Sequence, residues 1–112
     1  MARPELPGSF EQLVLLALLR LGDRAYGMTV RQEIERRTKH EVSLGAVYAT
    51  LDRLEEKGWV ASHEGPGGAE RGGRAKRFFK LRSGGSKVLD ESLRAIDEMR
   101  AQLPNHGRLA EA

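Results

Sequence analysis

The chain has no cysteine among its 112 residues, which excludes disulfide bonds and thiolate metal sites. It also lacks an apolar run that approaches the roughly 20 residues needed to span a bilayer. The longest run, Leu13–Leu19, has seven residues and ends at Arg20. The N-terminus does not have the layout of a signal peptide. We therefore expect a cytoplasmic protein that does not enter a membrane.

The chain also lacks any recognisable arrangement of catalytic residues, although acids are many. His40, His63 and His106 are scattered, without the spacing of metal ligands. The segment Ser83–Lys87 lacks the Gly-Lys-Ser/Thr order of a phosphate-binding loop and is better interpreted as the start of a helix. No acid lies on a predicted apolar surface, where a raised pKa would be expected. We predict no enzymatic activity, no metal and no cofactor.

Charge is distributed unevenly, because the net charge is only +3 and yet Arg71–Arg82 carries six cations and no acid. The overlapping glycine-rich stretch 65–73 predicts a flexible hairpin tip. Flexible cations can follow a phosphate backbone or enter the narrow minor groove of DNA. A solvated surface run is the alternative, although like charges repel one another unless a polyanion binds. The predicted DNA contacts of this segment are Arg71, Arg74, Lys76 and Arg77.

The most informative segment, 43–58, has the features of one capped helix. Ser43 can accept backbone N–H bonds at its start, and Gly58 can end it in a left-handed turn. One apolar stripe is formed at helical spacing by Leu44, Val47, Leu51 and Leu54. The opposite face begins with residues that have almost no side chain, namely Gly45, Ala46 and Ala49. Such a helix can press closely against a flat or grooved partner.

We interpret this helix as the one that enters the major groove of DNA. Its N-terminus offers partial positive charge and N–H groups that suit a phosphate, and the Tyr48 hydroxyl can reach the DNA backbone. Acids crowd the second half, so the first two turns should make the contact. The alternative is an ordinary amphipathic core helix, in which Tyr48 is only structural. The predicted DNA contacts are Ser43, Gly45, Ala46, Tyr48, Ala49, Thr50 and Arg53.

Two further helices are predicted before this one. Ser9 and Gln12 resemble a capping box that opens a helix to about Leu21. This helix is apolar nearly all round, so we infer that part of it faces a second subunit; a central core helix in a monomer is the alternative. Its predicted dimer contacts are Leu15, Leu18 and Leu19. The next helix ends near Thr38, and a short link to the third gives a helix-turn-helix layout. Its predicted exposed residues are Arg31, Glu33, Glu35, Arg36 and Arg37.

Two strands and a last helix are predicted after the capped helix. The strands, Trp59–Glu64 and Lys76–Leu81, form a hairpin with Trp59 as core filler beneath it, or alternatively as an effector contact. Ser83 is predicted to cap a helix that runs to about Leu103. A nearly heptad seam on this helix suggests pairing with another helix, while docking onto its own domain is the alternative. The predicted dimer contacts here are Leu89, Leu93, Ile96, Met99 and Leu103.

These motifs resemble the PadR family of bacterial transcriptional regulators, over about residues 9–103. The matching segments are Leu15–Leu19, Tyr26–Gly27, Gly45–Tyr48, Leu51–Glu55, Lys57–Gly58, Arg74–Leu81 and Gly85. The resemblance implies dimeric winged-helix repressors whose final helix helps dimerisation, with Tyr48 and the cations of the hairpin as DNA contacts. Two positions depart from the family pattern: Ala49 stands where proline is frequent, and Ser83 where threonine is usual.

The sequence thus predicts a mainly α fold with a small β-hairpin. It divides into an arm (1–8), a winged helix-turn-helix (9–82), a dimerisation helix (83–103) and a tail (104–112). We expect a sequence-specific transcriptional regulator, a homodimeric repressor that binds a pseudo-palindrome in double-stranded DNA with half-sites about 34 Å apart. Family analogy adds a small-molecule effector at the dimer interface. The alternatives are a winged-helix protein interaction module and a nonspecific architectural DNA-binding protein.

Overall fold

A computed structural model describes residues 5–65, 76–104 and 110, and most of its regular structure is helical. The elements in chain order are α1 (Ser9–Leu21), a short 3-10 helix (Gly22–Arg24), α2 (Gly27–Thr38), α3 (Leu44–Glu56), β1 (Val60–Glu64), β2 (Arg77–Leu81) and α4 (Ser83–Arg100). This architecture confirms the predicted fold class and the predicted order of elements. No described helix is long and apolar enough to cross a membrane.

The core lies where α1, α2 and α3 meet beneath the hairpin. Aliphatic side chains on the inner faces of the helices fill it, and Trp59 and Phe79 close it from the side of the strands. The α3 stripe behaves as predicted, because Val47, Leu51 and Leu54 are completely buried. Trp59 is likewise buried, in agreement with its predicted role as core filler.

Two predicted helix starts are wrong, because other residues occupy the capping positions. At α1 the N-cap is Gly8, whose N–H donates to the Glu11 carboxylate at 2.9 Å. Gln12 does not join a capping box and instead donates to the Pro7 carbonyl and the Ser92 hydroxyl. At α4 the N-cap is Arg82, whose backbone is extended, and no side chain caps the helix. Ser83, predicted as the cap, is the first helical residue.

The predicted ends of α3 are confirmed. The Ser43 hydroxyl accepts a hydrogen bond from the Ala46 N–H at 3.0 Å, as expected of an N-cap. After Glu56, Gly58 adopts a φ of 80°, a conformation that glycine reaches without steric cost. The chain thereby reverses into β1 within a few residues.

The hairpin is attached to the helical core along one edge. β1 and β2 pair antiparallel, with Val60 opposite Leu81. The Phe79 N–H donates to the Ala25 carbonyl at 2.9 Å, and an isolated bridge joins Tyr26 to Phe78. The segment just before α2 therefore fixes the position of β2.

The α4 helix packs on the domain over its first half only. Its buried residues are Gly85, Val88, Leu89 and Ser92. A Cβ atom at Gly85 would overlap the Trp59 carbonyl oxygen, which also accepts a bond from the Arg82 N–H at 2.9 Å. In contrast, every residue from Arg94 to Pro104 is exposed. The first half of α4 therefore docks on its own domain, as one alternative predicted, while pairing of the exposed half with another helix stays a prediction.

Candidate nucleic-acid interface

The link between α2 and α3 is tightly held, which fixes α3 as the second helix of a helix-turn-helix. Lys39 ends α2 in a left-handed conformation, with φ 62°, and its N–H donates to the Glu35 carbonyl at 2.9 Å. The Glu35 carboxylate in turn accepts the Val42 N–H at 2.9 Å. One glutamate thus anchors both ends of the link through its backbone and its side chain.

The leading end of α3 is exposed and carries little bulk. Ser43, Gly45, Ala46 and Ala49 are all exposed. A Cβ atom added at Gly45 would meet nothing within 4 Å, so the space in front of this turn is open. A duplex could approach the helix N-terminus here without displacing a side chain. The arrangement agrees with the prediction for these residues, whose contact with DNA stays a prediction.

Tyr48 lies between the two helices, and Gly27 makes room for it. A Cβ atom at Gly27 would overlap the Tyr48 ring and hydroxyl. Because Gly27 is the first residue of α2, the Tyr48 hydroxyl lies beside the N-terminus of that helix while the ring remains part-exposed. The predicted role of Tyr48 thus acquires a partner that sequence reasoning missed. The adjacent Tyr26–Gly27 pair was its only signal.

Thr50 is wrongly predicted as a DNA contact, since only 3% of it is exposed. It follows Val47 by three residues and precedes Leu54 by four, so it falls on the buried face of α3. The remaining polar candidate, Arg53, is half-exposed, but its Nε donates to the Glu11 carboxylate at 3.0 Å. Glu11 therefore already compensates part of the charge that Arg53 could offer to DNA.

Glu11 is a buried acid that connects α1 to the end of α3. Its Oε2 accepts from Arg53 and from Lys57, each at 3.0 Å. Burial by itself raises the pKa of Glu11, but the Gly8 N–H and the Lys57 and Arg53 side chains outweigh it, so the pKa lies below its ordinary value. These partners lie 42 and 46 residues away in the sequence, so local patterns gave no sign of the pairing.

A second acid, Glu33, is buried although it was predicted to be exposed. It accepts hydrogen bonds from Arg20 at 2.7 Å, Arg36 at 2.6 Å and Arg37 at 3.3 Å. The Arg20 bond, followed by the Arg36 bond, holds the pKa of Glu33 below its ordinary value. This cluster joins α1 to α2 and keeps the helix-turn-helix in place behind the interface.

The base of the hairpin presents a cation on a stack of aromatic rings. The Lys76 ammonium lies 4.6 Å from the centre of the Tyr26 ring and 3.4 Å from its hydroxyl oxygen. Phe78 packs edge-on against Tyr26 at 5.3 Å and stacks with His63 at 5.9 Å. Within 5–65 and 76–104, no carboxylate pairs with Lys76. The β1–β2 hairpin is the wing of the winged helix. The other two predicted DNA contacts of the wing, Arg71 and Arg74, lie outside the described residues.

Arg77 has a different environment from its neighbour Lys76. Its Nη1 bonds to the Asp52 carboxylate at 2.9 Å, and its Nη2 pairs with Glu55. The Ser62 hydroxyl donates to Glu55 at 2.7 Å and, together with Arg77, holds the pKa of that carboxyl below its ordinary value. The prediction that Arg77 contacts DNA does not fit this pairing, since two α3 carboxylates already neutralise its charge.

Three of the predicted dimer contacts are wrong, because their own protomer covers them. Leu15, Leu18 and Leu89 are almost completely buried in the core. The α1 helix is apolar nearly all round because α2, α3, the hairpin and α4 pack around it, so it needs no second subunit for most of its surface. Leu93 is half-buried, whereas the remaining predicted contacts are exposed: Leu19, Ile96, Met99 and Leu103.

Comparison with known proteins agrees with this arrangement. The model of the transcriptional regulator PadR-like family matches residues 15–91. No curated protein matches the chain in sequence. Among the described residues, no group of three acidic or histidine side chains could hold a metal ion.

Several solved structures share the fold. A PadR-like transcription factor from Bacteroides fragilis is 22% identical, with a TM-score of 0.68 over 81% of this chain and 82% of that one. F93 from STIV, a winged-helix DNA-binding protein, is 19% identical, with a TM-score of 0.71 over 89% of this chain and 100% of that one. A putative regulator from Thermoplasma acidophilum is 21% identical, with a TM-score of 0.64 over 79% and 82%. The fold is a winged helix-turn-helix, and the chain belongs to the PadR-like family of transcriptional regulators.

Proposed function

We propose that the protein is a homodimeric, cytoplasmic repressor that binds a pseudo-palindromic operator through α3. One observation carries the proposal: three surfaces suited to phosphate or groove contact adjoin one another. Gly27 leaves space for the Tyr48 side chain of α3. Lys76 of the hairpin lies over the ring of the preceding residue, Tyr26. The bulk-free end of α3, the N-terminus of α2 and the base of the wing therefore form one interface.

In this proposal the α3 leading turns enter the major groove and the hairpin lies along the neighbouring backbone. Contacts from Lys76 and from the wing tip position the protein, since phosphates carry little sequence information. Base contacts come from backbone-close residues at the start of α3, where no long side chain intervenes. Two copies would reach half-sites about 34 Å apart.

The dimer is proposed to form through the far half of α4. Ile96 and Met99 on α4, and Leu103 in the segment just after it, expose large apolar side chains, and Met99 is 79% exposed. Exposed apolar side chains grouped on one helix mark an interaction surface. A second copy satisfies this surface symmetrically, and the dimeric character of the family supports that choice. A small-molecule effector at the same interface is proposed from family analogy alone.

A selection experiment tests the proposal. The purified chain is incubated with a randomised 30-bp duplex library, and the bound fraction is amplified over several rounds. We expect an enriched palindromic consensus, bound at least 1,000-fold more tightly than a scrambled duplex at physiological salt, as is typical of specific regulators. Light scattering of the same sample should give twice the protomer mass.

Other outcomes would contradict the proposal in distinct ways. Equal affinity for consensus and scrambled duplexes, with a steep salt dependence, would indicate an architectural DNA-binding protein. A monomer that binds no duplex would favour a protein interaction module. If a consensus is enriched, reporter assays with that consensus placed across a promoter would separate repression from activation.

A further inference from the structure

We infer that Arg77 is a positioning residue that fixes the wing against α3, and that it does not contact phosphate. The inference rests on the proposed function, because the position of the wing matters when α3 and the wing bind one duplex. It also separates Arg77 from Lys76, its neighbour in the same cationic run.

The contacts of Arg77 connect strand β2 to α3. From β2, its guanidinium bonds to Asp52 at 2.9 Å and pairs with Glu55, both on α3. The guanidinium carbon also lies 4.8 Å from the centre of the Phe79 ring, which is buried in the core. A planar guanidinium with five donors can satisfy two carboxylates and stack on a ring at once, which an ammonium cannot do.

The hairpin is also held to one of these carboxylates, that of Glu55, from its other strand. The Ser62 hydroxyl of β1 donates to Glu55 at 2.7 Å. Glu55 therefore receives one bond from each strand, and its two oxygens are both engaged. Asp52 and Glu55, two of the acids in the second half of α3, thus fix the wing to the helix.

The charge balance also argues against a phosphate contact. One guanidinium faces two carboxylates, so the local net charge is negative. If Arg77 moved to a phosphate, the carboxylates of Asp52 and Glu55 would be left near DNA without their cation. The repulsion between these carboxylates and the phosphates opposes such a move. Lys76 has no such competitor among the described residues, so the two neighbours should respond differently to substitution.

A thermal mutant cycle tests the contact itself, without DNA. Arg77→Gln should lower the melting temperature by about 2–6 °C, as expected for part-exposed ion pairs in a domain of this size. In a chain that carries Asp52→Asn and Glu55→Gln together, Arg77→Gln should lower the melting temperature much less, because only the contact with the Phe79 ring remains to be lost. Arg77→Lys should recover only part of the loss. An equal melting shift in both backgrounds would overturn the inference.

A binding experiment tests the role, with the selected consensus duplex as the probe and Lys76→Gln as the matched control. At 10 °C, where both variants are folded, Arg77→Gln should weaken binding about 3–10-fold with an unchanged slope of log affinity against log salt. Lys76→Gln should reduce that slope by about one. A slope reduced by Arg77→Gln would make it a phosphate contact. An unchanged affinity would leave it only structural, and either result overturns the inference.

The outcomes distinguish a failure of this inference from a failure of the proposed function. If the native chain enriches no duplex, the proposed function fails, while the thermal cycle still decides whether Arg77 fixes the wing to α3. If a consensus is enriched but Arg77→Gln lowers the salt slope, the proposed function stands and the inference about Arg77 is wrong.

Discussion

The two halves of α3 differ in what their side chains do. The leading half, from Ser43 to Ala49, buries Val47 but exposes its small residues on the other face. The trailing half holds Glu55 and Arg53, which connect the helix to the hairpin and to α1. One helix thereby separates the surface that is proposed to contact DNA from the surface that anchors the helix to the domain. Substitutions in the two halves should consequently affect different measurements.

The largest effect is expected from the buried face of the trailing half. Leu54→Ala should lower the free energy of unfolding by about 2–5 kcal/mol, because a fully buried leucine leaves a cavity when truncated. Gly45→Ala in the leading half is the matched control, and it should be neutral or slightly stabilising, since its Cβ meets nothing within 4 Å. Urea unfolding measures both, and comparable losses would remove the contrast.

The next effect concerns binding and comes from the leading half. Gly45→Leu should weaken binding to the selected duplex by about tenfold or more, because a bulky side chain displaces the helix from base edges whose contacts are worth about 1–3 kcal/mol each. Its melting temperature should not fall, since the side chain points into open space. Binding is measured by fluorescence anisotropy. A normal affinity would exclude this turn from the DNA interface.

Gly27→Ala should act on binding through Tyr48. The added methyl group overlaps the Tyr48 ring, which must move from its place beside the α2 N-terminus. We expect a loss of affinity of about 3–10-fold, similar to that of Tyr48→Phe, because both variants lose one hydroxyl bond to the charged DNA backbone. The double variant should bind no worse than either single one. Additive losses would show that Gly27 acts independently of Tyr48.

The smallest expected effect is a pH dependence of stability, which comes from the ion pairs between Glu11 of α1 and the end of α3. The pKa of Glu11 is lower folded than its ordinary value of 4.5, so its ion pairs contribute stability above that pH, and the contribution is lost as pH falls through the folded pKa. Glu11→Gln should be less stable than the parent at pH 7, and the difference should shrink towards pH 3. Urea midpoints across this range measure it. Parallel curves would exclude Glu11 as the source.

Sequence patterns predicted what depends on neighbours along the chain. The Ser43 cap, the Gly58 turn and the α3 stripe were correctly predicted, because caps and stripes act within a few residues. The α1 and α4 caps were wrong, since more than one residue near each start could have served.

What the sequence did not reveal depends on which elements meet in space. In the sequence, Glu11 and Glu33 resemble exposed acids. Only the fold brings Arg53 of α3 to Glu11 and Arg20 of α1 to Glu33. Leu15 and Leu18 are apolar in any context, and only the packing shows that their own protomer covers them. Arg77 and Lys76 are adjacent cations in one run, and only the fold places two carboxylates beside the first of them.

The close contact between Gly85 and the Trp59 carbonyl gives α4 a rigid exit from the domain. Beyond Ser92, its last buried residue, the helix extends away from the domain by 1.5 Å for each residue. A small rotation where α4 leaves the domain would be magnified along the helix. In the proposed dimer it would therefore alter the distance between the α3 helices of the two protomers. Gly85 and the buried residues that follow it on α4 would thus help to set the spacing of half-sites that the pair can bridge.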